Sequence, residues 1–401
     1  MKCLYRKDNF HCVMDNFINR NVLLISFSAF FSDMGYQAVL AVLPVLLVLH
    51  FHAPVYVYGI IMGISYGLGA FFGYIGGRLS DIYGRKKIAI IGNAFIPFLS
   101  LSGITSNFIQ SSALFTTGWL SRNFRSPARK ALMSDETSDS TRGRIFGFLN
   151  ALDVGGGVAS ITILLILLHL NMKLSDIILL TSIPIFVATG LLIFVKERPR
   201  KIEEQLQQND IPRAKIKRST YNGVILATGL YGFSYYSLGF PILTIATAQN
   251  DALGFASYLF FLLASALFGY IVGSRKIKLI PSLAFIGYIL SGIGTIVLGL
   301  AYLYHLSVVI MFLAVVLIGM AVGTISTLEP NLITIVKPRS EHGRGMGALT
   351  ASRSAGLFFG NIMMGFLYYF DPFYSYLYAT IIAIVAGLII LIPSRDFKDL
   401  I

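Results

Sequence analysis

Twelve apolar stretches, each close to the length that crosses a bilayer, leave this chain few ways to fold. They cover residues 22–49, 56–77, 88–105, 111–133, 145–168, 177–195, 223–247, 253–272, 279–303, 306–336, 345–369 and 374–392. A hydrocarbon core about 30 Å thick is spanned by about 20 apolar residues in a helix. The stretches are continuously apolar, without the alternation that marks barrel strands. Charged residues make up 13% of the chain, against about 25% in soluble domains. Polar side chains are too few to cover a globular surface, so lipid is the expected solvent. The expected fold class is an all-α membrane protein of twelve transmembrane helices.

The connecting segments divide sharply by charge. Arg6, Lys7, Arg78, Arg85, Lys86, Lys87, Arg129, Lys130, Arg142, Arg144, the cluster from Lys196 to Arg218, and Arg275, Lys278, Lys337, Arg339, Arg344, Arg395 and Lys398 all fall on one side. The opposite side holds Lys173. Cytoplasmic loops collect Lys and Arg, so both termini are expected in the cytoplasm. The net charge of +13 then belongs to the cytoplasmic face, and no nucleic-acid partner is needed to explain it. The first stretch is longer than the core of a signal peptide and has no small-residue cleavage site, so the chain is expected to keep it. Cys3 and Cys12 build no disulfide framework. With His11 they form a soft-ligand set that lacks a fourth member, so neither a metal nor a cofactor is expected.

A single long polar segment, 196–222, parts the stretches into two groups of six. The expected layout is a tail over 1–20, a first half over 21–195, this basic loop, a second half over 223–393, and a tail over 394–401. The halves share sequence. FFGYIGG (71–77) recurs as LFGYIVG (267–273), and GRIFGFLNALDVGGG (143–157) aligns with GRGMGALTASRSAGL (343–357) at an offset of 200. Gly143/Gly343, Arg144/Arg344, Gly147/Gly347, Leu149/Leu349, Ala151/Ala351 and Gly156/Gly356 are identical. Two six-helix repeats around a midplane site are the plan of a secondary transporter.

Between the second and third stretches the chain reads GRLSDIYGRKK (77–87). This resembles the loop signature of the major facilitator superfamily, G-x-L-x-D-x-x-G-R-K/R-x, through Gly77, Asp81, Gly84, Arg85 and Lys86. RNFRSPARKALMSD (122–135) followed by RGRIFGFLNALD (142–153) further resembles a prokaryotic subgroup with a basic fourth span. The resemblance covers essentially the whole chain and is silent on the substrate. It implies two pseudo-symmetric halves, with spans 1, 4, 7 and 10 lining a cavity, span 5 packed on span 8 and span 11 on span 2. It also implies that Asp81 lies near the start of span 11 and helps to close the cytoplasmic side. Gly77 is expected to let two helix ends approach, and Gly84 to permit a tight turn. In the second half the motif has decayed to GSRKIKL (273–279), without an Asp.

Charges within the spans are the candidate functional residues, because ionisable groups in a bilayer are costly and mark solute or proton paths. They are Asp33 in span 1, Arg122 and Arg125 in span 4, Asp153 in span 5 and Arg353 in span 11. Asp33, Tyr36, Gln37 and Leu40 share a helical face. Asp33 and Arg122 reach similar depth from opposite sides, so the two are expected to meet, as a buried folding pair or as a proton site. Asn150 sits one turn before Asp153. Arg129 and Glu329, related by the same offset, are a candidate cytoplasmic lock. Span 7 offers Tyr231, Ser234, Tyr235, Tyr236 and Ser237, either as aromatic cavity walls or as interface anchors. His50, His52, His169 and His305 near the outer ends read as scattered interfacial residues in preference to pH sensors.

The cavity inventory of Arg122, Arg125 and Arg353 against Asp33 and Asp153 is nominally +1. It suits an anion or an amphiphile better than a lipophilic cation. Family exporters that exchange solute for protons often carry G-x-x-x-G-P-x-x-G-G in span 5; here ALDVGGGVAS (151–160) lacks the proline, which weakens that mode. No GxSxG, HExxH or GxxxxGK[ST] occurs, so neither a hydrolase nor an ATP-driven pump is expected. The expected function is proton-coupled movement of a small organic solute by alternating access, with efflux one possible direction. Uptake or exchange of an organic anion or sugar-type metabolite is the alternative, and a membrane sensor is the non-transport reading. The expected partners are solute, protons and lipid, for a monomer crossing the plasma membrane many times.

Overall fold

The computed structural model describes residues 18–137, 141–197, 218–234, 238–275, 277–336 and 342–392. The tails and most of the central basic loop therefore lie outside the described residues, as do Cys3, His11 and Cys12. The helices are α1 (Arg20–His50), α2 (Val55–Tyr83), α3 (Arg85–Ile104), α4 (Phe108–Asp135), α5 (Arg142–His169) and α6 (Leu174–Ile193). The second half has α7 in two pieces (Arg218–Ser234 and Gly239–Ala248), α8 (Asp251–Ser274), α9 (Leu279–Leu303), α10 (Val308–Val336), α11 (His342–Phe370) and α12 (Pro372–Leu391).

Local chemistry sets where the helices begin. Asn19, Asn107 and Asn250 accept from the backbone N–H of Val22, Gln110 and Leu253 at 2.9, 3.0 and 2.9 Å, capping α1, α4 and α8. Asp371 caps α12, with Pro372 in the first turn where no N–H is missed. Pro97 interrupts α3 after a turn at Phe95–Pro97.

Nine of the described helices are long and apolar enough to cross a membrane. The fourth, seventh and eleventh expected spans are also helical but fall outside that set. α4 carries Arg122, Arg125, Arg129 and Lys130, the described pieces of α7 are 17 and 10 residues long, and α11 opens on a polar, glycine-rich turn. Phe71, Tyr74, Leu267, Tyr270, Phe359 and Leu388 are exposed, the apolar rim that lipid would cover.

Packing repeats between the halves. α1 lies on α5 and the first piece of α7 on α11, while α2 lies on α4 and α8 on α10. Gly156 faces the Phe30 carbonyl and Asp33; Gly356 faces the Gly229 carbonyl and Gly232. The same crossing thus occurs twice, and the place of Asp33 is taken by Gly232 in the second half. The halves meet mainly where α2 lies on α11 and α5 on α8, and α1 also touches α8 and the second piece of α7. A Cβ on Gly365 would come within 2.9 Å of the Gly59 Cα, so these backbones nearly touch.

The buried core is one piece at one end and two pieces at the other. At the end bearing His50 and Asn250, Tyr36, Leu43, Tyr58 and Trp119 pack in one cluster with Phe240, Phe255, Tyr258 and Met364. At the end bearing Arg85 and Glu136, Ile25, Ile88, Leu132 and Leu192 form one cluster and Val224, Leu283, Leu328 and Ile390 another. The halves are therefore welded at one end and separately packed at the other.

Candidate functional site

The α1 face turns three polar groups toward α4 and α8. Asp33 is 6% exposed and accepts a hydrogen bond from the Tyr36 hydroxyl, one turn along the same helix. Tyr36 in turn accepts from Arg122 Nη2 at 3.2 Å. Asp33 and Arg122, expected to meet, are thus joined through a phenol. The guanidinium carbon of Arg122 sits 5.2 Å from the Tyr36 ring centroid and 5.0 Å from that of Trp119. Phe115 stacks on Trp119 and Tyr66 meets its edge, so the cation is walled by rings. Gln37 Oε1 accepts from the Tyr258 hydroxyl on α8 at 2.7 Å, a polar contact across the halves.

Arg125 does not line this space. It is 1% exposed and points into the first half, donating to Ser32 Oγ at 2.7 Å and Asn93 Oδ1 at 2.6 Å. Asn93 donates onward to Thr189 Oγ1 at 2.7 Å, so the guanidinium ties α1, α3, α4 and α6 together. Burying a cation among neutral acceptors is expensive, and satisfied hydrogen bonds are what make it tolerable. The corresponding slot of the second half is apolar: Gly92 packs on Arg125, and Gly287 on Ile325.

Arg129 and Glu329 do not pair with each other here. Arg129 Nη2 reaches Asp153 Oδ1 at 3.1 Å and Oδ2 at 3.2 Å, and Arg353 pairs with Glu329. Each charge found a partner on the neighbouring helix of its own half. Glu329 is fully buried and also accepts from the Tyr288 hydroxyl at 2.7 Å. Tyr231 stacks on Tyr288 with ring centroids 4.8 Å apart and donates to Ser291, which makes it a buried packing residue instead of an open wall. Asn150 is exposed on α5. Tyr235, Tyr236 and Ser237 lie outside the described residues.

The loop motif forms a clamp at the separated end. Gly84 adopts φ +98°, a conformation that side chains resist. Arg85 pairs with Asp135 at the end of α4, and its N–H donates to Glu197 Oε1 at 2.7 Å. Asp81 is 3.9 Å from Arg85 and half exposed. Its expected contact with the start of α11 falls on side chains at 341–344, which are not among those described. Lys86 is partly buried in the first turn of α3. The close approach expected at Gly77 belongs to Gly76: a Cβ at Gly77 would meet Pro127 at an ordinary 3.5 Å, whereas one at Gly76 would overlap the Phe124 carbonyl. Asn21 bonds both Glu136 and the Lys196 carbonyl at 2.8 Å, fastening the start of the central segment to this end.

Several participants were missed from sequence. Trp119 lies one turn before Arg122, and Asn93 interrupts an apolar run, so both had a signal. Tyr288, Tyr258 and Glu197 had none beyond residue type. Among the described residues no group of His, Cys, Asp and Glu is arranged to hold a metal.

A helical membrane protein of two repeated halves, joined at one end and carrying paired charges between its central helices, has the build of a carrier. The family model of the Major Facilitator Superfamily matches residues 25–336, and the chain belongs to that family. Its activity is membrane transport, not a covalent reaction. An uncharacterized MFS-type transporter of Methanocaldococcus jannaschii is 22% identical over 387 residues, covering 94% of this chain and 96% of that one. The fold is shared with a D-xylose-proton symporter, at TM-score 0.75 and 13% identity, over 92% of this chain and 96% of that one. It is also shared with a POT family transporter in complex with 5-aminolevulinic acid, at TM-score 0.71 and 15% identity, over 95% and 97%.

Proposed function

We propose that the chain carries a small organic solute across the plasma membrane by alternating access, coupled to protons at Asp33. The observation that supports this most is the buried relay Asp33–Tyr36–Arg122. A carboxylate held there can take a proton, and losing its charge releases Arg122 from its partner. Gly232 at the equivalent place gives the second half no such group. The missing span-5 proline argues for solute and proton moving together.

In this reading the welded end faces outward and the separated end inward, with both termini in the cytoplasm, as the loop cations require. Gly77, Asp81, Gly84, Arg85 and Lys86 act as the hinge of the inner end. When that end closes, Arg129 and Glu329 exchange their present partners for each other. Gln37, Asn150, Asp153 and Arg353 border the solute path.

The test uses the protein in liposomes holding a pH-sensitive dye, challenged with organic anions, sugars and lipophilic cations. Wild type moves protons with one of these classes. Asp33→Asn inserts normally and still moves that solute, without protons. Proton movement retained by Asp33→Asn would overturn the assignment.

A further inference from the structure

The buried nitrogens without a partner among the described residues are Trp119 Nε1, Arg122 Nε, Arg125 Nε, Arg129 Nε and Nη1, and Arg353 Nε. All are donors that cannot accept. All but the last lie on α4. Trp119 is 4% exposed, and it and Arg122 stand one turn apart against Tyr36 and Tyr66. Trp119 and Arg122 thus present buried donors beyond the acceptors around them. Water could satisfy the hydrogen bonds, but water brings no charge.

Charge decides the rest. Arg129 is compensated by Asp153 and Arg353 by Glu329. Arg122 is compensated by Asp33 through Tyr36. The ionisable groups around Asp33 are Arg122, Arg125 and Arg129 from α4, Asp153 from α5 and Tyr36 on its own helix. α6 meets α1 through the Ala188 carbonyl at Ser28 and α8 through the Tyr258 hydroxyl at Gln37, neither of them charged. When Asp33 takes a proton, Arg122 is left among rings without a counter-charge. A cationic solute would add to that surplus and a neutral one would leave it. A monoanion restores the balance of the empty carrier.

Resting on the assignment of Asp33 as the proton site, we infer that the solute is an organic monoanion, a carboxylate on an apolar body. Arg122 and Trp119 Nε1 hold the carboxylate, and Tyr36, Tyr66 and Phe115 wall the body. One proton and one anion then enter together, and the loaded and empty carriers have equal charge.

Trp119 is the sole tryptophan of the chain, so its fluorescence reports on this place directly. The purified full chain is titrated with benzoate and octanoate, with their neutral amides, and with tetraphenylphosphonium. At least one carboxylate is expected to shift the emission saturably, and its amide is not. The apparent Kd rises about tenfold per pH unit above the titration of Asp33. Arg122→Lys keeps the charge and weakens binding by roughly tenfold or more. Asp33→Asn binds the carboxylate with no pH dependence. Saturation by tetraphenylphosphonium or an amide, or by neither carboxylate, overturns the anion assignment. pH dependence that persists in Asp33→Asn, with carboxylate binding that needs Arg122, overturns the proton site and leaves the anion assignment standing.

Discussion

In the first half Arg129 on α4 reaches Asp153 on α5; in the second, Arg353 on α11 reaches Glu329 on α10. Both pairs span 24 residues, and the offset of 200 lays one on the other with the signs exchanged. Each half thus solves the same packing problem with opposite charges. Like charges at equivalent positions would repel wherever two related surfaces meet across a pseudo-two-fold axis. Inverted charges attract. Under the proposed partner exchange, the inverted signs that hold each half together would also draw the halves together on closing.

The two pairs differ in burial, and this gives the largest expected effect. Glu329 is fully buried, whereas the Asp153 side chain is 24% exposed. Arg353→Gln strands a buried carboxylate and should cost roughly 3–5 kcal/mol. Arg129→Gln leaves Asp153 in reach of water, and the loss should be about 1–2 kcal/mol after screening. Unfolding in detergent measures both. Equal losses would show that the difference in burial carries no energetic weight.

Next in size is the sign exchange itself. Arg129→Asp with Asp153→Arg keeps an ion pair in the first half but sets like charge opposite like charge across the axis. The fold should survive. The population closed at the separated end should fall about 5- to 30-fold, the equivalent of one or two kcal/mol. Adding Glu329→Arg and Arg353→Glu should restore it. Distances between spin labels on the ends of α4 and α10 follow the change. A first-half swap that closes like wild type would rule out partner exchange.

These pairings also mark how far the sequence could be followed. Long apolar runs and GRLSDIYGRKK were enough for the fold, because each depends on spacing along the chain. The offset of 200 exposed the inverted charges as well. Partner choice was not legible, since it depends on which helices lie side by side. Arg129 took Asp153 because α5 follows α4 directly, a local solution that the repeat pattern alone does not favour. Arg125 read as a cavity cation for the same reason: its side of α4 is revealed only by Ser32 and Asn93, residues of ordinary type on two other helices. The Tyr36 bridge was within reach, as it lies one turn from Asp33.

The smallest expected effect compares the two ends of the molecule. At the welded end His50 Nε2 on α1 and Asp251 Oδ2 on α8 are 3.2 Å apart, a contact between the halves that becomes an ion pair when the imidazole is protonated. Their side chains are 46% and 40% exposed. Exposed pairs contribute about 0–1 kcal/mol and weaken with salt. Asp251 also lies in the first turn of α8, where a carboxylate is already favoured by the helix end. Apolar contact is the stronger tie here, with Tyr58 against Phe240 at 5.2 Å and the α2–α11 backbones nearly touching. Asp251→Asn should therefore open the welded end by less than about fivefold, an effect erased by added salt. Phe240→Ala should open it further, at any ionic strength, because it removes a ring from the cluster that both halves share. If Asp251→Asn proves the larger of the two, ions and not rings hold this end. The charged separated end and the apolar welded end would then differ in placement only, and not in the kind of force that closes them.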